Sequence, residues 1–323
     1  MNQTRLSVCI ATYNRAEYIG VTLESIIPQL TDEVEIVIVD GASTDNTSEV
    51  LDSYIEACEQ IRYFRLPKKG GIDQDYCKAV EYAQGEMCWL FPDDDLIKPG
   101  AIKAVLHEAK NDYSLIVVNA QVMNKNITKI LSSKILQLEI NKVYNKLELD
   151  KLFQCVIPYM SFIGCVIINR DLWLQREKNR YFGTEFIHVG VIFQAPLPAS
   201  ALVIAAPYIT IRLGNANWTP RAFEIWMSKW PNLLSSFADI SEQVRKEYQR
   251  KQSLRRLKNI IIHRAKGEYS LIEYRKWLKI EDSSLWWRIT VLLIAIVPSI
   301  IARLIILSYF KMVNKEALKW WQY

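Results

Sequence analysis

With 323 residues, half of them apolar, the chain can bury the core of one large domain or two modest ones. Gly and Pro number only 11 each and no tract is of low complexity, which excludes a disordered chain. The net charge is +5 overall but +11 from Arg245 to Tyr323 (17 Lys/Arg, 6 Asp/Glu), so the other 244 residues carry −6. The basic part adjoins an apolar stretch rather than a basic surface interleaved with stacking aromatics. It therefore points to an anionic lipid surface and not to nucleic acid. No repeat of fixed period is present. Six scattered cysteines, Cys9, Cys58, Cys77, Cys88, Cys155 and Cys165, form no C-x-x-C pair and read as buried, reduced thiols. The apolar run Leu6–Ala11 is too short for a signal peptide, so the body of the chain is expected in the cytoplasm.

Ser7–Ala11 predicts a buried strand, broken by Thr12-Tyr13-Asn14-Arg15. Tyr18, Val21, Leu23, Ile26 and Ile27 then recur near helical spacing up to Pro28. Glu35–Val39 predicts a second strand ending at Asp40-Gly41. Ser43-Thr44-Asp45 offers a cap to a following helix. Ile61–Leu66 predicts a strand, Asp75–Gln84 a helix stopped by Gly85, and Met87–Phe91 a strand that runs into Pro92 and Asp93-Asp94-Asp95. A helix over Ala101–Ala109 and a strand over Ser114–Asn119 follow. Beyond about residue 125 the alternation fades, leaving strands at Ser161–Asn169 and Ala201–Leu213, a loop into a helix over Tyr181–Gln194, and a basic helical region from Phe223 to Leu278.

Strands alternating with helices imply an α/β fold with a mainly parallel sheet. Ligands of such sheets bind at the carboxyl ends of the strands. Three polar clusters sit at such ends, Thr12-Tyr13-Asn14, Asp40-Gly41 and Asp93-Asp94-Asp95, and the topology brings all three to one rim. The expected division is a domain over 1–220, with a nucleotide half 1–120 and an acceptor half 121–220. A helical basic region follows over 221–323, with a membrane-associating segment at 285–312. As one helix, the run from Ile289 to Phe310 would be roughly 33 Å long, enough to span a bilayer. Pro298 and Arg303 argue instead for a broken helical pair lying in the interface. Trp286, Trp287, Arg288, Tyr309, Lys311, Trp320 and Trp321 are placed to anchor it.

Three adjacent aspartates after a strand need a counterion. A hard cation such as Mg²⁺ or Mn²⁺ takes carboxylate oxygens and leaves room for phosphate oxygens. The competing reading is a solvated acidic turn before Pro99-Gly100. Asp40 could accept from a base N–H or a ribose hydroxyl, or hold its own turn. Tyr13 could stack on a base or pack on the sheet rim. Asp73 could meet sugar hydroxyls or cap a helix.

Taken together, these segments resemble the family 2 glycosyltransferases, which have the GT-A fold. The resemblance rests on Ala11-Thr12-Tyr13-Asn14-Arg15, on Val39-Asp40-Gly41-Ala42-Ser43-Thr44-Asp45-Asn46-Thr47, and on Trp89-Leu90-Phe91-Pro92-Asp93-Asp94-Asp95 before Pro99-Gly100, in the family's order and separations. It is close over residues 5–120 and looser to about 215. The run Gly70-Gly71-Ile72-Asp73-Gln74-Asp75-Tyr76 is similar to the abequosyltransferase-like subgroup of surface-polysaccharide and O-antigen enzymes.

The resemblance implies a nucleotide set of Thr12, Tyr13, Asn14, Arg15, Asp40, Asp73 and Asp93. It places the metal ligand of the D-x-D motif on Asp94, with Asp95 beside it; Pro92 stands where many members have the first Asp. A general base is implied on the loop Phe182-Gly183-Thr184-Glu185-Phe186-Ile187-His188, at Glu185 or, as the alternative, His188. The expected activity is metal-dependent inverting transfer from a nucleotide diphospho-sugar to a lipid-linked saccharide, on the cytoplasmic face of the bacterial inner membrane. The chain would be held there peripherally or by a single C-terminal span. A nucleotidyltransferase would want a Gly-rich basic loop after the first strand, which Thr12-Tyr13-Asn14 is not. A dinucleotide-binding dehydrogenase would want G-x-G-x-x-G there. A non-catalytic sugar-nucleotide-binding scaffold would not need three intact aspartates.

Overall fold

The computed structural model describes residues 3–215, 221–278 and 284–313. The chain divides into two compact units, the first comprising 1–213 with 238–240, the second 214–237 with 241–323.

The first unit is built on one ten-stranded sheet in the order β3-β2-β1-β4-β9-β6-β10-β5, with β7 on β6 and β8 on β10. Its first half is wholly parallel: β1 (Leu6–Thr12) lies between β2 (Val34–Asp40) and β4 (Met87–Phe91), and β3 (Ile61–Arg65) pairs with β2. Every residue of β1, β2 and β4 is buried. This is why these strands read as unbroken apolar runs rather than alternating ones: helices cover both faces of a parallel sheet. The covering and connecting helices are α1 (Ile19–Ile26), α2 (Thr47–Ala57), α3 (Ile72–Tyr82) and α4 (Ala101–Glu108).

The second half is mixed. β9 (Val166–Asn169) runs antiparallel to both β4 and β6 (Tyr113–Asn124) and joins the two halves; β10 (Ser200–Leu213) is parallel to β6. Short strands β5 (Leu96–Ile97), β7 (Ile130–Ser132) and β8 (Lys142–Tyr144), and helices α5 (Leu149–Val156), α6 (Arg170–Gln175) and α7 (Ile187–Phe193), complete the unit.

Several boundaries depart from the sequence pattern for identifiable reasons. The strand expected over Ser161–Asn169 is confined to β9, because Ile163–Cys165 form a 3₁₀ turn. There the Gly164 carbonyl accepts from Trp89 Nε1 at 2.8 Å, and a Cβ on Gly164 would come within 2.8 Å of Pro92. Helix α3 starts at Ile72, three residues before the expected Asp75, with Gly71 at φ +99° as its N-cap. Asp73 and Asp75 then fall in its first turn, where carboxylates suit the positive end of the helix dipole. Of the expected Ser43-Thr44-Asp45 cap, Asp45 acts on α2: the helix begins at Thr47, whose N–H donates to Asp45 Oδ1 at 3.1 Å, while Asn46 makes no capping bond from its side chain. The six cysteines are unpaired; Cys58 and Cys155 are half-buried and the other four buried.

The second unit is helical: α8 (Ala222–Glu224) leads through a π-helical turn into α9 (Trp230–Ser235), followed by the 25-residue α10 (Glu242–Lys266), α11 (Leu271–Glu273), α12 (Leu285–Ile296) and α13 (Ser299–Val313). Ser241 caps α10 at one end and Gly267, at φ +81°, ends it. One core gathers Phe223, Ile260, Tyr269, Val291 and Ala295, and another Ala265, Ala302 and Ile306. Helices α12 and α13 meet at a 105° bend at Val297-Pro298, and among the described residues no single helix is long and apolar enough to cross a membrane. Trp320 and Trp321, expected as anchors, lie outside the described residues.

Candidate active site

The carboxyl ends of β1, β2 and β4 carry the three clusters to one edge of the sheet. Backbone strain marks the place. Among the described residues, four non-glycine residues have positive φ, Asn14 (+54°), Ala42 (+65°), Ile127 (+54°) and Glu185 (+71°). Asn14 and Ala42 belong to this rim and Glu185 to the loop tied to it below. Such conformations cost about 1–3 kcal/mol each and persist where a constellation needs them.

Asn14 and its neighbours brace the rim. Asn14 Oδ1 accepts from Thr44 N–H at 2.7 Å, Asn14 N–H donates to Ser43 Oγ at 2.9 Å, and Arg15 N–H donates to Thr47 Oγ1 at 2.8 Å. The first and second βα loops are thereby fastened to each other. Asp40 is fully buried and holds the second loop: Oδ1 accepts from Ser43 N–H at 2.7 Å and Oδ2 from the Tyr63 hydroxyl at 2.8 Å. The ammonium of Lys69 lies 3.6 Å from the centroid of the Tyr13 ring, covering the face expected to stack on a base.

The acidic run divides by orientation. Asp93 and Asp95 are buried while Asp94 is half-buried. Arg15 reaches both members of the first pair, 3.4 Å from Asp93 Oδ1 and 3.3 Å from Asp94 Oδ2. Burial, and then the charge of Asp94, push the Asp93 carboxyl up to about 7; Arg15 and the Thr12 hydroxyl pull the other way. Asp95 faces inward, its Oδ1 accepting from Arg212 N–H at 2.6 Å, while Arg212 Nε donates to the Asp94 carbonyl at 2.9 Å. Burial and Asp94 raise Asp95 well above the usual carboxylate range. Of the two residues expected at a metal, Asp94 is half-buried and meets Arg15, while Asp95 is buried and fastens the run to β10.

Among the described residues no group of three or more His, Cys, Asp or Glu side chains could by itself hold a metal ion. What the site does hold is a carboxylate pair already bridging one cation, the Arg15 guanidinium. That donor set fits a hard divalent ion taking two carboxylates and completing its shell with phosphate oxygens and water.

Asp73 has a role its position in the sequence does not show. Its Oδ2 accepts from Gly183 N–H at 2.8 Å and Glu185 N–H at 3.0 Å, and its Oδ1 from Ile187 N–H at 3.1 Å. Both oxygens are thus taken by protein, where donor-sugar hydroxyls were expected. One carboxylate at the start of α3 fastens a loop more than a hundred residues away and holds Glu185 in its left-handed conformation. Burial lifts Asp73 to about 6; the N–H groups of Glu185 and Ile187 oppose this and the Glu185 charge adds to it. Asp73→Ala should free the loop, with a stability loss of about 2–4 kcal/mol from the charge-accepted hydrogen bonds. Denaturant unfolding measures the loss, and proteolysis within 182–187 should speed up in parallel.

His188 lies in the core, 1% exposed, with Nε2 2.7 Å from the Met160 carbonyl. Burial lowers it to about 4, so it is neutral at physiological pH. Glu185, the other candidate, is half-buried on the loop. His188→Gln should therefore leave the pH profile of activity between 6 and 8 unshifted, a result that pH–rate measurements on the variant would check.

Residues 7–171, just over half of the chain, match the family described as Glycosyl transferase family 2. Among curated proteins the chain is similar to the abequosyltransferase RfbV of Salmonella typhimurium, 27% identical over 206 residues, covering 59% of this chain and 62% of that one. It is also similar to the GalNAc(5)-diNAcBac-PP-undecaprenol beta-1,3-glucosyltransferase of Campylobacter jejuni, 27% identical over 40% of this chain and 43% of that one. The chain thus spans from about two fifths to three fifths of such relatives' own length. Among solved structures, S. aureus TarS residues 1–349 superpose with a TM-score of 0.59 at 16% identity, over 99% of this chain and 88% of that one. The same protein in complex with UDP-GlcNAc gives 0.57 at 18% identity over 77% and 72%. The fold is that of the GT-A enzymes, and with the rim motifs in place on it the chain belongs to glycosyl transferase family 2.

Proposed function

We propose that this glycosyltransferase moves a sugar, with inversion, from a nucleotide diphospho-sugar to a hydroxyl of a lipid-linked saccharide in surface-polysaccharide synthesis. The observation that carries this reading is the tie between Asp73 and the loop 183–187, which couples the acidic loop of the second half to the nucleotide half. TarS complexes with UDP and UDP-GlcNAc support the donor class, and the undecaprenol-linked substrate named for the Campylobacter relative supports the acceptor class.

In this reading the first half, with Thr12, Tyr13 and Asp40, receives the nucleoside. Asp94, with Asp93, would hold Mg²⁺ or Mn²⁺. Bound there, the ion supplies positive charge that stabilises the departing diphosphate. Arg15, which bridges the two carboxylates, would add a second positive charge beside the diphosphate. Glu185 removes the proton of the acceptor hydroxyl as that oxygen attacks the anomeric carbon. The test is a thermal-shift screen of UDP, GDP, CDP and dTDP with and without Mn²⁺. A rise for one nucleotide that requires the metal is expected, and is lost in Asp94→Asn. No rise with any of the four would overturn the reading.

The second unit adds the acceptor's location. Leu293, Ile296, Ile300, Ile301, Leu304 and Ile305 are exposed along α12 and α13, Ile300 by 62%. Larger apolar patches on a protein surface mark interaction sites. Their neighbours carry the chain's positive excess, and a bent apolar pair flanked by such charge suits the surface of an anionic bilayer, held peripherally. Leu293→Glu combined with Leu304→Glu should lower binding to phosphatidylglycerol vesicles about tenfold or more in a sedimentation assay. Unchanged binding would remove the tail from membrane attachment.

A further inference from the structure

One buried carboxylate at the rim is not used by the chemistry above. Asp75 is 4% exposed and its Oδ1 has no hydrogen-bond partner. It projects from the first turn of α3 against two glycines. A Cβ on Gly41 would lie 2.8 Å from Asp75 Oδ2, and one on Gly70 3.1 Å from Oδ1. Gly41 directly follows Asp40, so the carboxylate fills the space beside the residue expected to read the donor's base. Asp40 itself is engaged, each of its oxygens accepting from a protein donor, Ser43 N–H or the Tyr63 hydroxyl.

The dipole of α3 suits a charge at Asp75, but no hydrogen-bond donor holds its Oδ1. Burial raises its carboxyl to about 6, Lys69 opposes the rise, and Asp40 and Asp73 add to it. A buried acid with like charges around it destabilises the fold, and such a group persists where a ligand needs it. Lys69 supplies the second observation. Its ammonium sits over the Tyr13 ring at 3.6 Å and its charge is the one that favours ionised Asp75. An aromatic face and a carboxylate, both served by one ammonium, are also what a planar base with an N–H edge would use, by stacking and by donating.

We propose that Asp75 is the carboxylate that reads the donor's base: the base displaces Lys69 from the face of Tyr13 and donates a ring or exocyclic N–H to Asp75. The role rests on the donor site described above and makes Asp75 a specificity-determining residue of it. Asp40, in this arrangement, shapes the pocket by holding the Ser43 turn and Tyr63.

The experiment is calorimetric titration of UDP, GDP, CDP, dTDP and inorganic diphosphate into the full chain and into Asp75→Asn, with Mn²⁺ present. The wild-type chain should prefer one nucleotide. In Asp75→Asn the affinity for that nucleotide should fall about tenfold or more, to the level of the others, because one hydrogen bond to a charge is lost. Inorganic diphosphate should bind both forms alike. The melting temperature of the variant should hold or rise, since a buried charge is removed. Retained selectivity in Asp75→Asn, or equal binding of all four nucleotides by the wild-type chain, overturns Asp75 as the base reader while leaving the donor site standing. A parallel loss for diphosphate also overturns it, as a general field effect, and so does a sharp fall in melting temperature, which would make Asp75 structural. Failure of every nucleotide to bind the wild-type chain would instead remove the donor site itself, and this inference with it.

Discussion

Glu185→Gln is expected to slow sugar transfer about 10²–10⁴-fold, the usual contribution of a positioned general base. Donor binding should stay within about threefold, because the backbone N–H of residue 185 ties the loop to Asp73 whichever side chain it carries. The N–H of residue 185 still donates to Asp73 in the variant, and Gly183 and Ile187 still flank it on the same carboxylate. The isosteric amide removes the proton acceptor and leaves the tie intact. Single-turnover transfer to a lipid-linked acceptor, set beside nucleotide affinity for the same preparation, is the measurement. Equal losses in rate and donor affinity would make Glu185 a binding residue. A rate near that of the wild-type chain would remove it from the chemistry, and buried, neutral His188 is poorly placed to substitute for it.

The second large effect is expected at Arg15. Arg15→Met keeps most of the side chain's length and removes the guanidinium that bridges Asp93 and Asp94. Two neighbouring, largely buried carboxylates would then lack that compensation, at a cost of about 3–5 kcal/mol as an upper figure for breaking a buried pair. The pH dependence gives the sign. Asp93 already titrates near 7 in the folded chain, above its unfolded range. The folded state therefore holds a proton that the unfolded state has released, and stability falls as pH rises from about 4 towards 7. Without Arg15 the folded pKa moves higher still, so the fall continues past 7. The variant should approach wild-type stability at pH 5 and diverge from it by pH 8. Mn²⁺ at pH 8 should recover part of the difference, since the ion would take the place of the guanidinium. Melting curves across this range, with and without metal, test both points. A deficit independent of pH and of metal would mean that Arg15 acts through packing alone.

How much of this is legible in the sequence depends on the range of the interaction. Strands β1, β2 and β4 were readable because a parallel sheet buries both faces of its strands, which leaves unbroken apolar runs ending abruptly in polar residues. The rim followed from the same fact, since parallel order sets all three ends on one edge. The break at Pro298 was readable from the ring of proline alone. The helix expected from Asp75 starts three residues earlier, at Ile72, because a helix dipole welcomes acids such as Asp73 in its first turn and Gly71 supplies the N-cap.

The sequence by itself thus determined the order of the elements, the sheet edge at which the polar clusters gather, and the residue types that assemble there. The tertiary structure alone decided how the carboxylates divide their work. Asp94 shares Arg15 with Asp93, Asp95 is fastened to Arg212, Asp73 is tied to a loop more than a hundred residues away, and Asp75 is left with an unpartnered oxygen. Aspartates of this kind are identical as letters in the chain. What separates them is burial and the hydrogen-bond donors that distant segments bring to each, and neither is written in local spacing.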